Sequence, residues 1–201
     1  MEPDVLGRYH GKMSPTFRAS GSPPQVTDAL AFLRGTWQVT RQLIDHRAAA
    51  DGTFTGVATW LAPDGPVADD SAADDSAEHG PGADEPAADR PVLAYHEHGE
   101  LVYRGHRGPA SRRLIYRSGP DGTADVRFTD GHEFYQLDAR DGTWQAQHEC
   151  GADHYAVSGR VLGDDAFREH WRVTGPAKDY EIITTLVRAD QRDPDEDAGT
   201  A

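Results

Sequence analysis

A short segment in the second half of the chain carries four side chains that can do chemistry, spaced as His148-x-Cys150-x-x-Asp153-x-Tyr155. An imidazole, a thiol, a carboxylate and a phenol within one hairpin suit general acid–base catalysis or hydrogen bonding to a polar ligand. His148 does not activate the Cys150 thiol directly, because residues i and i+2 of a strand lie about 6–7 Å apart. A structural interpretation is also open, in which Asp153 caps the turn, Cys150 is a small core residue and Tyr155 is a strand aromatic.

Two triplets, His96-Glu97-His98 and His148-Glu149-Cys150, each place two potential metal ligands on one face of a strand. If the two strands met, three imidazole nitrogens and one thiolate could bind zinc or another transition metal. His-x-His arises easily by chance in a chain with ten histidines. We therefore predict that the protein holds neither a metal nor a cofactor, and a metal-binding barrel is the less favoured alternative.

The elements that must position these residues are short and β-rich. Thr27 or Asp28 can cap a helix that ends before Gly35. The strand candidates that follow are 36–45, 53–61, 92–98, 100–105, 111–117, 124–129, 132–138, 143–150, 154–162, 166–174 and 180–188. Tight-turn signals between them are Asp51-Gly52, Asp121-Gly122, Asp130-Gly131, Asp141-Gly142 and Gly163-Asp164-Asp165. Regular short strands with tight turns predict an all-β antiparallel barrel or sandwich.

Gly35-Thr36-Trp37 opens the first strand directly after the helix, and Arg188 ends the last strand. This arrangement resembles the calycin superfamily of lipocalins and fatty-acid-binding proteins. The resemblance implies a calycin-like antiparallel up-and-down β-barrel of about 8–10 strands with a short N-terminal helix. It also implies a barrel-closing pair, in which Trp37 plugs one end and Arg188 packs over it. We expect Trp60 to lie nearer the barrel surface.

Three motifs narrow the resemblance: Asp130-Gly131-His132, the patch from His148 to Tyr155, and Gly175-Pro176-x-Lys178-Asp179-Tyr180. As a set they resemble a small bacterial domain family of unknown function, DUF6314, over roughly residues 29–188 without the acidic stretch. That family implies no activity.

Haem binding is a further, less favoured alternative. One calycin branch, the nitrobindin type, ligates haem through a histidine and carries a glycine-rich continuation after its first tryptophan. In this chain Gln38-Val39-Thr40-Arg41 stands there instead.

Strand alternation assigns side chains to the barrel interior, because alternate residues share a face. The residues predicted to face inward are Trp144, Ala146, His148 and Cys150 on one strand, Phe167, Glu169, Trp171 and Val173 on another, and Tyr180, Ile182, Thr184, Leu186 and Arg188 on the last. The last assignment rests on the resemblance, since Ile183 and Val187 make the opposite face apolar as well. Buried polar groups are costly unless they are paired or bind a ligand.

The net charge of −14 is concentrated in segments that are not expected to fold. Residues 62–91 carry −8 and residues 189–201 carry −4. We predict a disordered tail over 1–26, a barrel domain over 27–188 with a disordered acidic insertion at about 63–91, and a disordered acidic C-terminal tail over 189–201. The absence of a basic stripe in the sequence argues against nucleic-acid binding.

The single cysteine fits a reducing compartment, and the sequence has no apolar run of the length that a signal peptide or a membrane helix needs. We predict a cytoplasmic monomer or homodimer whose partner is a small-molecule ligand, with no nucleic-acid or membrane partner.

We predict a binding protein whose partly apolar ligand lies in the barrel lumen. The predicted ligand-binding residues are His148, Cys150, Asp153, Tyr155, Trp144, Phe134, His132, Trp171, Tyr180 and Arg41. Arg112, Arg113 and Lys178 are further candidates for contact with an anionic group. The alternatives are a cofactor-free enzyme that uses His148, Asp153 and Tyr155 in acid–base chemistry, and a module that binds partners through the acidic insertion. Whether the protein is an enzyme stays open.

Overall fold

The computed structural model describes residues 22–63 and 90–189 and shows ten antiparallel strands in one sheet, preceded by a single short α-helix. The helix α1 is Ala29–Leu33, and the strands are β1 Gly35–Asp45, β2 Ala50–Leu61, β3 Val92–Tyr103, β4 His106–Ser118, β5 Ala124–Arg127, β6 Glu133–Leu137, β7 Thr143–Cys150, β8 Asp153–Gly163, β9 Ala166–Thr174 and β10 Asp179–Arg188. The predicted all-β barrel with a short N-terminal helix is confirmed. The predicted tails and acidic insertion lie almost wholly outside the described residues.

The strands follow one another around the barrel in chain order. β10 pairs with β1 and so joins the two ends of the meander. β6 and β7 end the hydrogen-bonded order and face each other across a seam. The barrel is therefore nearly closed, with one line along which no backbone ladder joins the described strands.

The cross-strand registers arrange the interior in layers, because residues opposite each other in an antiparallel ladder point to the same side of the sheet. Starting near α1, the layers are Val39–Leu186–Phe167–Val161, Arg41–Thr184–Glu169–Gly159–Trp144, Leu43–Ile182–Trp171–Val157–Ala146 and Tyr180–Val173–Tyr155–His148. The alternation predicted for β9 agrees with the burial of Phe167, Trp171 and Val173. The inward orientation predicted for Cys150 is wrong: it is exposed, because β7 ends there at the rim, next to a turn.

Two glycines interpreted as chain breaks lie inside strands. Gly52 is part of β2, and a Cβ on it would come within 2.9 Å of the Val102 carbonyl oxygen, so glycine permits close strand approach there. Gly99 lies within β3 opposite Gly56, and the Phe54 ring covers both glycines. The predicted turn at Asp51-Gly52 and the predicted division of β3 into two strands are therefore wrong.

One end of the barrel is closed by α1, Trp37 and Arg188, and the Trp37 side chain is the plug of this end. Asp28 caps the helix by accepting a hydrogen bond from the Ala31 amide at 3.0 Å. The Trp37 indole is fully buried and donates to the Leu33 carbonyl at 2.7 Å.

Arg188 stacks on the Trp37 ring. Its guanidinium carbon lies 4.2 Å from the ring centroid. The same guanidinium donates to the carbonyls of Phe32 and Arg34, each at 2.8 Å. These carbonyls have no partner within the helix, so Arg188 satisfies the helix end and stacks on the plug at once.

Trp60 is buried, and the expectation that it lies near the barrel surface is wrong. It has the same strand alternation as Phe54 and Ala58, which both point inward. Its ring lies 4.5 Å from that of Tyr95 and 6.3 Å from that of Trp37. Trp60 is thus part of the aromatic floor above the plug.

The described part of the chain contains no helix with the length and apolar character needed to cross a membrane.

We predict that the plug dominates stability. Trp37→Ala should lower the free energy of unfolding by about 3–5 kcal/mol, as for other large-to-small changes of buried aromatics. Arg188→Met should lower it by about 1–3 kcal/mol, because it removes the cation–π contact and leaves two carbonyls without donors. Val187→Thr, at the exposed neighbouring position, should change it by less than about 0.5 kcal/mol. Urea unfolding of the three variants tests this, and an Arg188→Met midpoint equal to that of Val187→Thr would contradict it.

Candidate functional site

A cavity of about 220 Å³ occupies the barrel lumen above the plug. Its walls are mostly aromatic, formed by Trp60, Tyr95, Tyr116, Phe134, Tyr135, Trp144, Phe167 and Trp171. Polar side chains interrupt this lining at Arg41, Arg112, Tyr155, Glu169, Tyr180 and Thr184. The cavity therefore combines flat apolar surfaces with a few hydrogen-bonding groups, as small-molecule sites do.

The aromatic walls depend on close local packing. Trp144 lies flat on Gly159, its partner on β8, where a Cβ would come within 1.9 Å of the indole. Phe134 stacks on Trp171 with ring centroids 5.3 Å apart and an interplanar angle of 5°. Burial raises the pKa of the Tyr116 and Tyr135 hydroxyls, so both stay protonated and neutral.

Arg41 is fully engaged by neighbouring side chains. Its terminal nitrogens donate to both carboxylate oxygens of Glu97, at 2.8 and 2.5 Å, and its Nε donates to the Thr184 hydroxyl at 2.9 Å. The Tyr95 hydroxyl donates to Glu97 at 2.7 Å. Burial opposes the charge of Arg41, but the hydrogen bonds to Glu97 raise its pKa. This network is an internally satisfied ion pair with no charge left for a ligand.

Arg112 and Glu169 face the same cavity without such pairing. The Arg112 guanidinium lies 5.3 Å from the Phe134 ring centroid, and within the described chain no carboxylate lies within 4.0 Å of it. Among the described residues, Glu169 accepts only a long hydrogen bond, 3.4 Å, from the Trp171 indole. Burial raises the pKa of Glu169, against the opposing effects of that indole and of Arg112.

The layer farthest from the plug contains a second polar group. The Lys178 ammonium lies 2.5 Å from the Tyr155 hydroxyl and 2.7 Å from the Asp153 carboxylate. Its pKa is raised, first by the hydrogen bond to Asp153. Burial raises the pKa of Tyr180, which lines the same end of the cavity. Lys178 is thus neutralised by Asp153 and oriented toward Tyr155.

Six of the ten sequence-predicted ligand-binding residues line the lumen cavity: Arg41, Phe134, Trp144, Tyr155, Trp171 and Tyr180. The other four do not. Cys150 is exposed, and His132 is an exposed turn residue paired with Asp130. Asp153 pairs with Lys178. His148 faces inward behind the cavity wall, with its ring 5.1 Å from Phe134 and 6.1 Å from Tyr155.

The hypothetical metal set from His96, His98, His148 and Cys150 does not assemble. β3 and β7 are not neighbours in the sheet, because β4, β5 and β6 lie between them. His98 is exposed, on the strand face opposite to the buried Glu97. Among the residues that the structure describes, no group of three or more histidine, cysteine, aspartate or glutamate side chains could hold a metal ion.

Glu97 is the main interior residue that the sequence interpretation missed. The signal was present, since Glu97 alternates in phase with Leu93 and Tyr95, both buried. The sequence pattern suggested His96 and His98 as metal ligands, and these two residues lie on the opposite face of the strand from Glu97. The same alternation places Arg112 inside and Arg113 outside on β4, where Arg113 is exposed.

Comparison with known proteins adds a family and a fold. The sequence model of DUF6314, described as a family of unknown function, matches residues 33–188. No functionally curated protein matches the chain.

Among solved structures, the S-type phycobiliprotein lyase CPES from Guillardia theta superposes with a TM-score of 0.53 at 11% identity, over 81% of this chain and 92% of that one. A redesigned β-barrel, mFAP0, bound to DFHBI, gives 0.36 at 15% identity, over 78% of this chain and 99% of that one. A protein of unknown function from the DUF3598 family of Nostoc punctiforme gives 0.38 at 8% identity, over 84% and 51%. The first likeness shows the barrel fold alone, and the other two carry no further weight.

The raised pKa of Glu169 gives a prediction for stability. The folded state holds this proton more tightly than the unfolded chain, so the free energy of unfolding falls as pH rises from the ordinary glutamate value toward the raised one. Glu169→Gln removes this loss because glutamine does not ionise. The variant should be close to the parent protein in stability at pH 4 and more stable than it at pH 7.

Urea unfolding at several pH values measures this difference. Glu133→Gln is the control, because the Glu133 side chain is 83% exposed and its replacement should have little effect at any pH. A Glu169→Gln advantage that shrinks between pH 4 and pH 7 would contradict the expected sign.

Proposed function

Because this chain belongs to DUF6314, a family of unknown function, we propose its function from the barrel itself: it binds a small, partly apolar molecule in the lumen. The observation that carries the proposal is the cavity of about 220 Å³ in which Arg112 and Glu169 lie without pairing to each other. A barrel without a ligand normally fills its interior with side chains. An open, partly charged interior is costly for the apo protein.

Other features of the lumen support a ligand. The Trp144 indole nitrogen is buried with no hydrogen-bond partner among the described atoms. Such an unsatisfied donor costs about 1–3 kcal/mol, which an acceptor on a ligand can recover after a small ring movement. Phe134 and Trp171 offer flat surfaces for an aromatic or planar group. Volumes below about 300 Å³ suit ligands smaller than a typical drug.

The rest of the proposal concerns setting and partners. The exposed free thiol of Cys150 persists best in a reducing compartment, which supports a cytoplasmic location. We propose a barrel that acts as a monomer or homodimer, with a small molecule and neither nucleic acid nor membrane as its partner. The barrel domain spans residues 27–188, with the acidic insertion as a separate element.

Native mass spectrometry of the full chain purified from its own host tests the binding function. The expected spectrum shows the polypeptide plus a small non-covalent mass that denaturing conditions remove. Ile182→Trp should abolish the additional mass, because Ile182 lines the cavity and the larger ring fills it.

Ile183→Trp is the matched control on the same strand, since residue 183 does not share the inward alternation of residue 182. It should keep the additional mass. A parent protein that carries no additional mass, or an Ile182→Trp variant that retains it fully, would count against lumen binding. Circular dichroism of both variants verifies that they fold.

A second candidate function is acid–base catalysis without a cofactor. The observation that favours it is the Lys178 ammonium 2.5 Å from the Tyr155 hydroxyl at the cavity wall. Tyr155 would then act as general acid, Lys178 would orient it, and Asp153 would hold Lys178 in place. This differs from the His148, Asp153 and Tyr155 set suggested by the sequence.

Isotope exchange separates catalysis from simple binding. If the barrel catalyses proton transfer at carbon, the molecule retained by the parent protein should take up deuterium from D₂O. Tyr155→Phe should keep the bound molecule and lose the deuterium exchange. The control is Tyr103→Phe, whose hydroxyl donates to Asp45 away from the cavity, and it should change neither binding nor exchange. If the parent protein binds a molecule that takes up no deuterium, catalysis of proton transfer at carbon is contradicted and only the binding function remains.

A further inference from the structure

Two of the three cationic side chains at the lumen are paired with a carboxylate and the third is not, and the unpaired one indicates which class of ligand the lumen can bind. Three cationic side chains lie in or beside the cavity: Arg41, Arg112 and Lys178. Glu97 neutralises Arg41 through two hydrogen bonds, and Asp153 neutralises Lys178 at 2.7 Å. Among the described residues, Arg112 alone of the three has no carboxylate within ion-pairing distance.

The charge of Arg112 is permanent, since a guanidinium does not lose its proton in proteins. Glu169 lies on the same cavity wall, where burial raises its pKa, and no ion pair joins it to Arg112. The cavity therefore presents one permanent positive charge that no carboxylate pairs with among the described residues, and this charge suits an oxyanion.

The surroundings of Arg112 define the rest of the ligand. The guanidinium lies against the Phe134 ring, and Phe134 stacks on Trp171. Tyr135 meets Trp171 edge-on at 5.4 Å. A carboxylate at Arg112 would carry its attached group directly onto this aromatic wall. The cavity of about 220 Å³ limits that group to about one or two rings.

We propose that the lumen binds a small aromatic carboxylate, with its carboxylate on Arg112 and its ring against Phe134 and Trp171. This inference rests on the proposed binding function and specifies its ligand class. Among the cationic side chains that the sequence offered for an anionic group, it selects Arg112, because Arg41 is already occupied by Glu97.

The experiment compares three probes of nearly equal shape and different charge: 1-naphthoate, neutral 1-naphthamide and cationic 1-naphthylmethylammonium. Isothermal titration calorimetry with the full chain gives the dissociation constants, and quenching of the cavity tryptophans gives an independent readout. The parent protein should bind naphthoate more tightly than either other probe by about tenfold or more, the usual value of one charge-assisted hydrogen bond.

Arg112→Gln should reduce naphthoate affinity to that of naphthamide. Arg112→Lys should keep part of the preference, because it retains the charge and loses the fork geometry. Arg113→Gln, at the exposed neighbouring position, should bind all three probes as the parent does. Since Arg112 makes no hydrogen bond within the described chain, its variants should melt near the parent temperature.

Equal affinity for naphthoate and naphthamide, or a naphthoate preference that survives in Arg112→Gln, overturns the assignment of the ligand class. Tighter binding of the ammonium probe also overturns it and assigns the charge recognition to Glu169 instead. Failure of all three probes overturns the aromatic-carboxylate assignment as well. The lumen-binding function fails separately, by the absence of any retained mass in protein from its own host.

Discussion

The stacking of Arg188 on Trp37 is the contact on which the barrel depends. It joins the first strand to the last, and the same guanidinium holds the end of α1 over the opening. Because Trp37 and Arg188 are also register partners, this contact fixes the pairing of β1 with β10. A slip by one residue would turn every interior side chain of β10 to the outside, Thr184 and Tyr180 among them. The contact between Trp37 and Arg188 therefore decides which side chains of β10 face the lumen.

Above that floor, the interior contains two kinds of polar group. Arg41 and Glu97 form a complete network, and such buried pairs seldom add net stability because desolvation offsets their attraction. Their value here is geometric, since they tie β1 to β3, the two strands on either side of β2. Arg112 and Glu169 have no such network, and their unsatisfied state is the cost of a usable cavity. The barrel thus separates groups that shape the interior from groups that are available to a ligand.

Local capping and alternation predicted the short helix with a cap at Thr27 or Asp28 and the inward face of β9. The closed barrel and the inward face of β10 were predicted from the family resemblance. The sequence patterns failed where glycine serves packing between strands, as at Gly52 and Gly99, since a close approach and a turn look alike in one sequence. The sequence patterns also did not show which charged side chains pair with each other in the interior. Glu97 meets Arg41 only because β1 and β3 both pair with β2, and Lys178 reaches Tyr155 only through the register of β8, β9 and β10.

The seam between β6 and β7 gives the barrel two sheet edges, and edges carry unpaired backbone groups that can recruit strands from other molecules. The exposed side chains of Glu133 and Glu149, one on each edge strand and paired with Arg127 and His154, place charged groups where a foreign strand would have to dock. Charged side chains on an edge strand discourage edge-to-edge association. The seam can also part without breaking a backbone ladder, so the β6 and β7 amides at this edge should exchange with solvent sooner than those of β1 and β10. The barrel therefore opens most easily along the seam, where its two edge strands meet.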